Sequence, residues 1–375
     1  MKKGLIIAIE FESLAFFENA LEIAGCRFNE IEEDMTHCLL RERGKEVLTC
    51  RELGIPYLAY VKPQTKQDRQ EGKFSIAEVN FDINSLDKDK FALVVRKQSN
   101  SYPDNLGFDY FIDKATSESV KYWADLFTKD EIGRNVEILS QAEFLDSLKS
   151  KELSFPFFLK TLDKGSHGNT LAKVFDENNI RFLLPTSERP DLDVEGTTLY
   201  RYLSLFEDSV LTLFTEQSSY FNPWVGESQI IPASYKSLDG KLIKSDVINI
   251  LDDLRSYPNK EHRAFIVDGK VTSLSRYFDY DYYVSPKHVL DYAQDFASKF
   301  KERLPLICVA DFAETTSGVE LIEINPYENS GRYLMNDPEK LFLAIMTLSG
   351  GDKLKTSNEG LLVPKIKPKL LLNEF

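Results

Sequence analysis

The sequence has little of what would build a disulfide framework, a zinc module or a membrane span. It holds 4 cysteines in 375 residues, Cys26, Cys38, Cys50 and Cys308, and no two form a CxxC pair. Cys38 and Cys50 have no matching His/Cys partner pair, which argues against structural zinc. So few and so scattered thiols fit a reducing compartment, and a cytoplasmic location is expected. No run of eighteen apolar residues occurs, so no membrane-spanning helix is expected. Positive charge is also short, with 46 basic residues against 60 acidic ones and a formal net charge of -14. Such a surface repels nucleic-acid backbones at long range, which excludes nonspecific binding to them. The three lysines of the tail "VPKIKPKLLLNEF" are read as a solvated face. There is no internal repeat, no Walker A sequence and no Rossmann fingerprint. The opening "MKKGLIIAIEFESLAFF" has a leader-like basic start, but Glu10 and Glu12 interrupt its apolar stretch. A buried strand followed by a helix is expected there.

What is present is ordinary for packed lobes. Hydrophobic residues make up 42%, and aromatics reach 12% through 26 Phe and 17 Tyr, enough to fill two or three cores. "GLIIAI" (4–9) is a buried-strand run, and "SLAFFENALEIA" (13–24) has helical spacing. "KEVLTCRELGIPYLAYV" (45–61) and "KFALVVRK" (90–97) are read as further strands, with a polar loop or exposed edge over 62–78. "SESVKYWADLF" and "SQAEFLDSLKS" are expected helices opened by serine caps. This first region reads as α/β with a mainly parallel sheet. From Phe155 the pattern becomes strand, loop, strand, turn, strand, with "DENN" as the turn. The segment 186–197 is irregular and acidic, and "TTLYRYLSLFEDSVLTLFTEQ" is read as helical. "ESQIIPASYK" resumes the strands, "RAFIV" and "VTSLSRY" flank the hairpin turn Asp268-Gly269, and "SPKHVLDYAQDFASKFKERL" is the clearest helix. A helix from Asp337 closes the fold. The expected division is 1–115, 116–225, 226–350 and a C-terminal extension 351–375.

Four groups of residues carry candidate chemistry. "ICVADFAE" and "GVELIEINP" read as neighbouring strands that bring Asp311 to Glu323 and Asn325, the last two on one face by the period of two. Two carboxylates and an amide make a hard, all-oxygen set suited to Mg²⁺ and phosphate rather than zinc; a polar sheet face beside a turn would use the same residues. Lys160 ends an apolar strand, and the loop Lys164, Gly165, Ser166, His167 and Gly168 can turn tightly and offer N–H groups to anions. A plain connecting turn is the competing account. Arg263 shares a strand with Glu261 and Phe265 and suits a bidentate anion contact, or else a cross-strand ion pair. In "NPYENSGRY", Gly331 allows close backbone approach, and Arg332 is a candidate for an anionic substrate.

These four groups, in this order, resemble the ATP-grasp superfamily over roughly residues 150 to 335. The resemblance implies an α/β fold in which nucleotide lies between two α+β lobes, preceded by an N-terminal α/β domain. Lys160 looks like the strand lysine that contacts phosphate, and "GSHG" like the loop that closes over the phosphates. Arg263 looks like the arginine before the "dG" hairpin, while Asp311, Glu323 and Asn325 look like the magnesium ligands. "SRY" (275–277) is similar to a clade named for one arginine and two lysines, with Lys160, Lys164 and Arg263 in those places. Glu227, with Ile230 nearby, is the best match to the adenine-contacting hinge.

The implied cofactors are ATP and one or two Mg²⁺ ions, with Mn²⁺ able to substitute. The implied reaction activates a small-molecule, peptide or protein carboxylate as an acyl phosphate, which an amine then attacks, with Lys160, Arg263 and Arg332 in catalytic roles. A kinase-like phosphotransferase and a non-catalytic ATP-binding scaffold remain as alternatives. Monomer and homodimer are both open.

Overall fold

The computed structural model describes residues 3–25, 35–97, 102–140, 143–144, 146–147, 150, 152–162, 171–176, 179–183, 220–222, 227–229, 241–251, 260–276, 284–333, 336–350, 354 and 356. The first sheet has the order β3-β2-β1-β4-β5. Its strands are β1 (Gly4–Phe11), β2 (Tyr57–Val61), β3 (Ser75–Val79), β4 (Phe91–Arg96) and β5 (Asp109–Tyr110). β1, β2, β4 and β5 are parallel, and β3 is an antiparallel edge in the segment expected to be polar loop or edge. All eight residues of β1 are buried, as an unbroken apolar run in a parallel sheet should be.

Two helices cover one face of this sheet, α1 (Leu14–Gly25) and α2 (Met35–Leu53). The expected strand over 45–53 is therefore wrong: Lys45 to Leu53 form the end of α2, and only Tyr57–Val61 is a strand. Val47 and Cys50 lie three apart and both face the core, a helical spacing hidden by the β-favouring Val, Leu and Thr around them. Gly54, at φ +63, ends the helix. Gly44 lets α2 lie close on α1, because a Cβ there would come 1.9 Å from the Ala20 carbonyl oxygen.

After α3 (Lys66–Glu71), α4 (Lys114–Ser119), a 3-10 turn (Val120–Leu126) and α5 (Lys129–Ile132), the chain enters a second sheet, order β6-β12-β7-β8-β9, all antiparallel. It comprises β6 (Val136–Ser140), β7 (Phe157–Thr161), β8 (Leu171–Asp176), β9 (Asn179–Leu183) and β12 (Lys241–Asp246). The helix expected from Ser117 is capped instead by Asp113, which accepts from the Thr116 N–H. Ser140 and Glu143 exchange N–H bonds, as expected for the next helix start. β10 (Tyr220–Asn222) and β11 (Glu227–Gln229) form a separate ribbon. The change to the last sheet lies between Asp246 and Glu261, later than the expected 225/226. The segment 186–197, the expected helix over 197–217 and the tail from 357 lie outside the described residues.

The third sheet, β14-β13-β15-β16, is antiparallel. β13 (Glu261–Val267) and β14 (Lys270–Arg276) turn at Asp268 and Gly269, both at positive φ, as a two-residue hairpin loop requires. β15 (Ile307–Thr315) and β16 (Gly318–Pro326) follow α6 (Lys287–Lys299), and α7 (Pro338–Thr347) is capped by Asp337. One core joins α1, α2 and β1 to Phe265, Val309 and Tyr327 of this sheet and to Leu341, Phe342 and Ile345 of α7. On the other face, Phe296 and Phe300 of α6 pack with Trp123, Phe312 and Leu321.

Where these layers meet, a single carboxylate serves three arginines. Glu46 of α2 is fully buried and accepts from Arg43 at 3.1 Å, Arg96 at 3.1 Å and Arg332 at 2.7 Å. Burial alone would raise its pKa; Arg96, Arg43 and Arg332 overcome that and lower it to about 2. The folded pKa is below the ordinary 4.5, so the stabilisation is full above about pH 4.5 and is lost as pH falls toward 2. Glu46→Gln should cost ~3–5 kcal/mol at neutral pH. Urea midpoints at a series of pH values will show the gap from wild type closing between pH 4.5 and 2. A gap that does not change with pH would exclude the Glu46 charge as its source.

Candidate active site

The register of the third sheet aligns three charged residues across adjacent strands. Asp311 on β15 lies opposite Arg263 on β13 and opposite Glu323 on β16. The pairing then slips: Phe312 is opposite Leu321, so Ile322 is an extra residue, a β-bulge. The slip allows Leu321 and Ile324 both to enter the core with Phe312, while Glu323 and Asn325 share the other face. Arg134, just after α5, donates to the Leu321 and Ile322 carbonyls at 2.7 and 2.6 Å and so holds the bulge in place.

Asp311 is completely buried and takes a two-pronged ion pair from Arg263, Nε to Oδ1 at 2.8 Å and Nη2 to Oδ2 at 2.7 Å. The Asn325 amide donates to Asp311 Oδ2 and to Glu323 Oε1, each at 2.9 Å. Lys160, at the end of β7 in the second sheet, pairs with Glu323 Oε2. Five of the residues singled out from sequence therefore converge, from two sheets: Lys160, Arg263, Asp311, Glu323 and Asn325. Glu261 stands two residues before Arg263 on the same strand face. Burial, then Asp311 and Glu323, push its carboxyl well above the usual carboxylate range.

The expected cross-strand pair for Arg263 is present, but it is buried rather than on a wet face. Its guanidinium also lies 5.1 Å from the Tyr333 ring centre, with Nη1 3.4 Å from both the Gly331 carbonyl and the Tyr333 hydroxyl. Tyr333, the last residue of "NPYENSGRY", carries no local sign of this contact, which depends on the approach of β13. Arg332 is not brought to this cluster. Its side chain turns to α2, where it meets Glu46, the Glu42 carbonyl at 2.7 Å and the Asn336 carbonyl at 2.6 Å. It is 2% exposed, so the expected contact with an anionic substrate is replaced by a contact between layers. Glu42 also accepts the N–H groups of Arg332 and Tyr333, at 2.9 and 2.6 Å, and so pins the loop beside Arg263.

Lys164, Gly165, Ser166, His167, Gly168 and Ile230 lie outside the described residues. Glu227 begins β11, opposite Asn222.

The donor set fits a hard cation in its chemistry. Asp311, Glu323 and the Asn325 carbonyl offer oxygen only, and the thiol on β15, Cys308, packs into the core on the opposite face. Among the described residues no group of three or more His, Cys, Asp or Glu could hold a metal, so a cation here needs the Asn325 amide as well as the two carboxylates. As placed, the Asn325 amide nitrogen faces both carboxylates, so its oxygen would join them at a cation only with the amide turned over.

The described residues thus have an α/β architecture. Residues 230–345 match a family model described as ATP-grasp domain, R2K clade family 3, which spans under a third of the chain. No curated protein matches the sequence. Among solved structures, it is similar to the D-alanine–D-alanine ligase of Bacillus anthracis complexed with ATP, at TM-score 0.42 and 11% identity over 92% of this chain and 96% of that one. It is similar also to the D-alanine–D-alanine ligase of Helicobacter pylori, at TM-score 0.42 and 13% identity over 93% and 100%. N5-carboxyaminoimidazole ribonucleotide synthetase from Thermotoga maritima gives TM-score 0.42 and 14% identity over 95% and 79%.

The ion pair at the centre changes what substitution of Asp311 should do. Alanine there strands the buried Arg263 guanidinium at ~3–5 kcal/mol, so the substitution should cost stability as well as any chemistry. A double-mutant cycle with Arg263→Lys and Asp311→Asn should return a coupling of about 1–3 kcal/mol in urea unfolding. Additive effects would show that the two groups do not support one another.

Proposed function

We propose that this protein is an ATP- and Mg²⁺-dependent ligase that joins a carboxylate to an amine through an acyl phosphate. The observation that carries the reading is the convergence of Lys160, Arg263, Asp311, Glu323 and Asn325 from two sheets, within a segment partly covered by the ATP-grasp family model. In this reading Asp311, Glu323 and Asn325 hold the cation, which when bound would screen the phosphate oxygens. Lys160 and Arg263 supply positive charge where the transferring phosphoryl group gathers negative charge. Arg263 is held for that task by Asp311 on one side and Tyr333 on the other. The two sheets contributing Lys160 and Glu323 form the walls from which water must be kept, because an acyl phosphate hydrolyses.

A kinase would need the same grip, so product analysis separates the two reactions. Amino acids, peptides and cellular carboxylates are screened for stimulated ADP release, with mass spectrometry of the product: a ligase yields phosphate and a new amide, a kinase a phosphoester. Glu323→Ala should reduce Mg²⁺-dependent ADP formation on the order of a hundredfold or more, with the fold kept. Normal turnover by a folded Glu323→Ala protein would overturn the cation assignment.

A further inference from the structure

Residues 262 and 263 are consecutive on β13, so their side chains point to opposite faces of the sheet. On the face away from Arg263, His262 stands at the middle of a hydrogen-bonded chain. Its Nδ1 is 2.9 Å from the Ser285 hydroxyl, and its Nε2 is 3.0 Å from Glu314 Oε1. The second oxygen of Glu314 is 3.1 Å from His288 Nε2. Glu314 is itself fixed, its N–H donating to the Lys260 carbonyl and its carbonyl accepting from Leu251.

The network decides the tautomer. An ionised Glu314 can only accept, so the His262 proton sits on Nε2. Nδ1 is then a lone pair, and the Ser285 hydroxyl must be its donor. A hydroxyl, a base that receives its proton and a carboxylate that orients the base are together the parts of an activated nucleophile. Burial lowers the pKa of His262, against the opposing pull of Glu314, which keeps the ring neutral and ready to accept a proton near pH 7. The nucleophile is within reach of solvent: Ser285 is half-buried, Val284 beside it is 72% exposed, and His288 is exposed. Pro286, which follows Ser285, has no N–H, and the Val289 and Leu290 N–H groups donate to its carbonyl, so in the first turn of α6 it is the Lys287 and His288 N–H groups that can meet negative charge.

We propose that Ser285 is a nucleophile for activated acyl groups carried as esters, with His262 as its general base and Glu314 as the group that orients the base. The Ser285 oxygen forms a bond to the acyl carbon and passes its proton to His262 Nδ1. The ester C–O bond breaks, and the departing alkoxide takes that proton. Water, deprotonated in the same way, then releases the acid and restores the serine.

An alkyl fluorophosphonate tests this without a known substrate. Serine attack forms an O–P bond, breaks the P–F bond and releases fluoride, leaving a stable adduct. Intact mass of the full chain should show one adduct, mapped to Ser285 and lost in Ser285→Ala. His262→Gln and Glu314→Gln should slow labelling, the former by roughly a hundredfold. The groups facing His262 are Glu314 on β15, Arg276 on β14, and His288 and Ser285 on or before α6. Wild-type labelling should therefore rise with pH through a midpoint below the ordinary 6.5 of histidine. Absence of a Ser285 adduct overturns the proposal, as does labelling at the wild-type rate in folded His262→Gln. If His262→Gln does not fold, a wild-type rate without that midpoint overturns it.

Discussion

The Glu46 carboxylate is the contact on which the arrangement of layers depends. It is a buried anion on the second helix that neutralises arginines from its own helix, from the end of β4 and from the loop after β16. The end of β4 and the loop after β16 are far apart in sequence, and the buried Lys97–Glu328 pair joins them a second time. Removing water from several guanidiniums is costly, and only a shared carboxylate with good geometry offsets it. The apolar core spanning α1, α2, β1, β13, β15 and α7 brings the layers together without fixing their mutual position, because hydrophobic packing has no direction. The ion cluster adds the direction. It anchors, through Arg332, the loop that sets Gly331 and Tyr333 against Arg263, which the strand register has already placed opposite Asp311.

Much of the candidate site was legible in the sequence because its signals are local. Alternation along a strand puts Glu323 and Asn325 on one side, and the Asp268-Gly269 pair marks a hairpin that any reading would find. Antiparallel neighbours then bring Asp311 alongside. What could not be read depends on contacts between distant segments. Nothing near Arg332 says that its guanidinium turns to Glu46, 286 residues earlier. β12 looked like part of the last lobe because it is near it in sequence, yet its hydrogen bonds lie with β6 and β7. The stretch from Lys45 to Leu53 has β-favouring residues on a helical framework, and tertiary burial of Val47 and Cys50 decided in favour of the helix.

The two faces of β13 carry different kinds of polar chemistry. On one side, charges of opposite sign are paired in a largely buried setting. On the other, imidazole and carboxylate form a chain of hydrogen bonds ending in a hydroxyl. A strand with consecutive His262 and Arg263 thus serves two environments, while its remaining residues, Ala264 to Val267, enter the apolar cores on its two faces.

The extra residue Ile322 has a bearing on how such a site can vary. Without it, Phe312 and Leu321 would still face each other, and Asp311 and Glu323 would too, since the pairs on either side of the slip already agree in face. Ile322 is therefore spare as far as pairing goes. Its contribution is curvature, and Arg134 secures that curvature through two carbonyls. The bulge thus bends the strand next to Glu323 without disturbing the pairing of Asp311 with Glu323 or of Phe312 with Leu321.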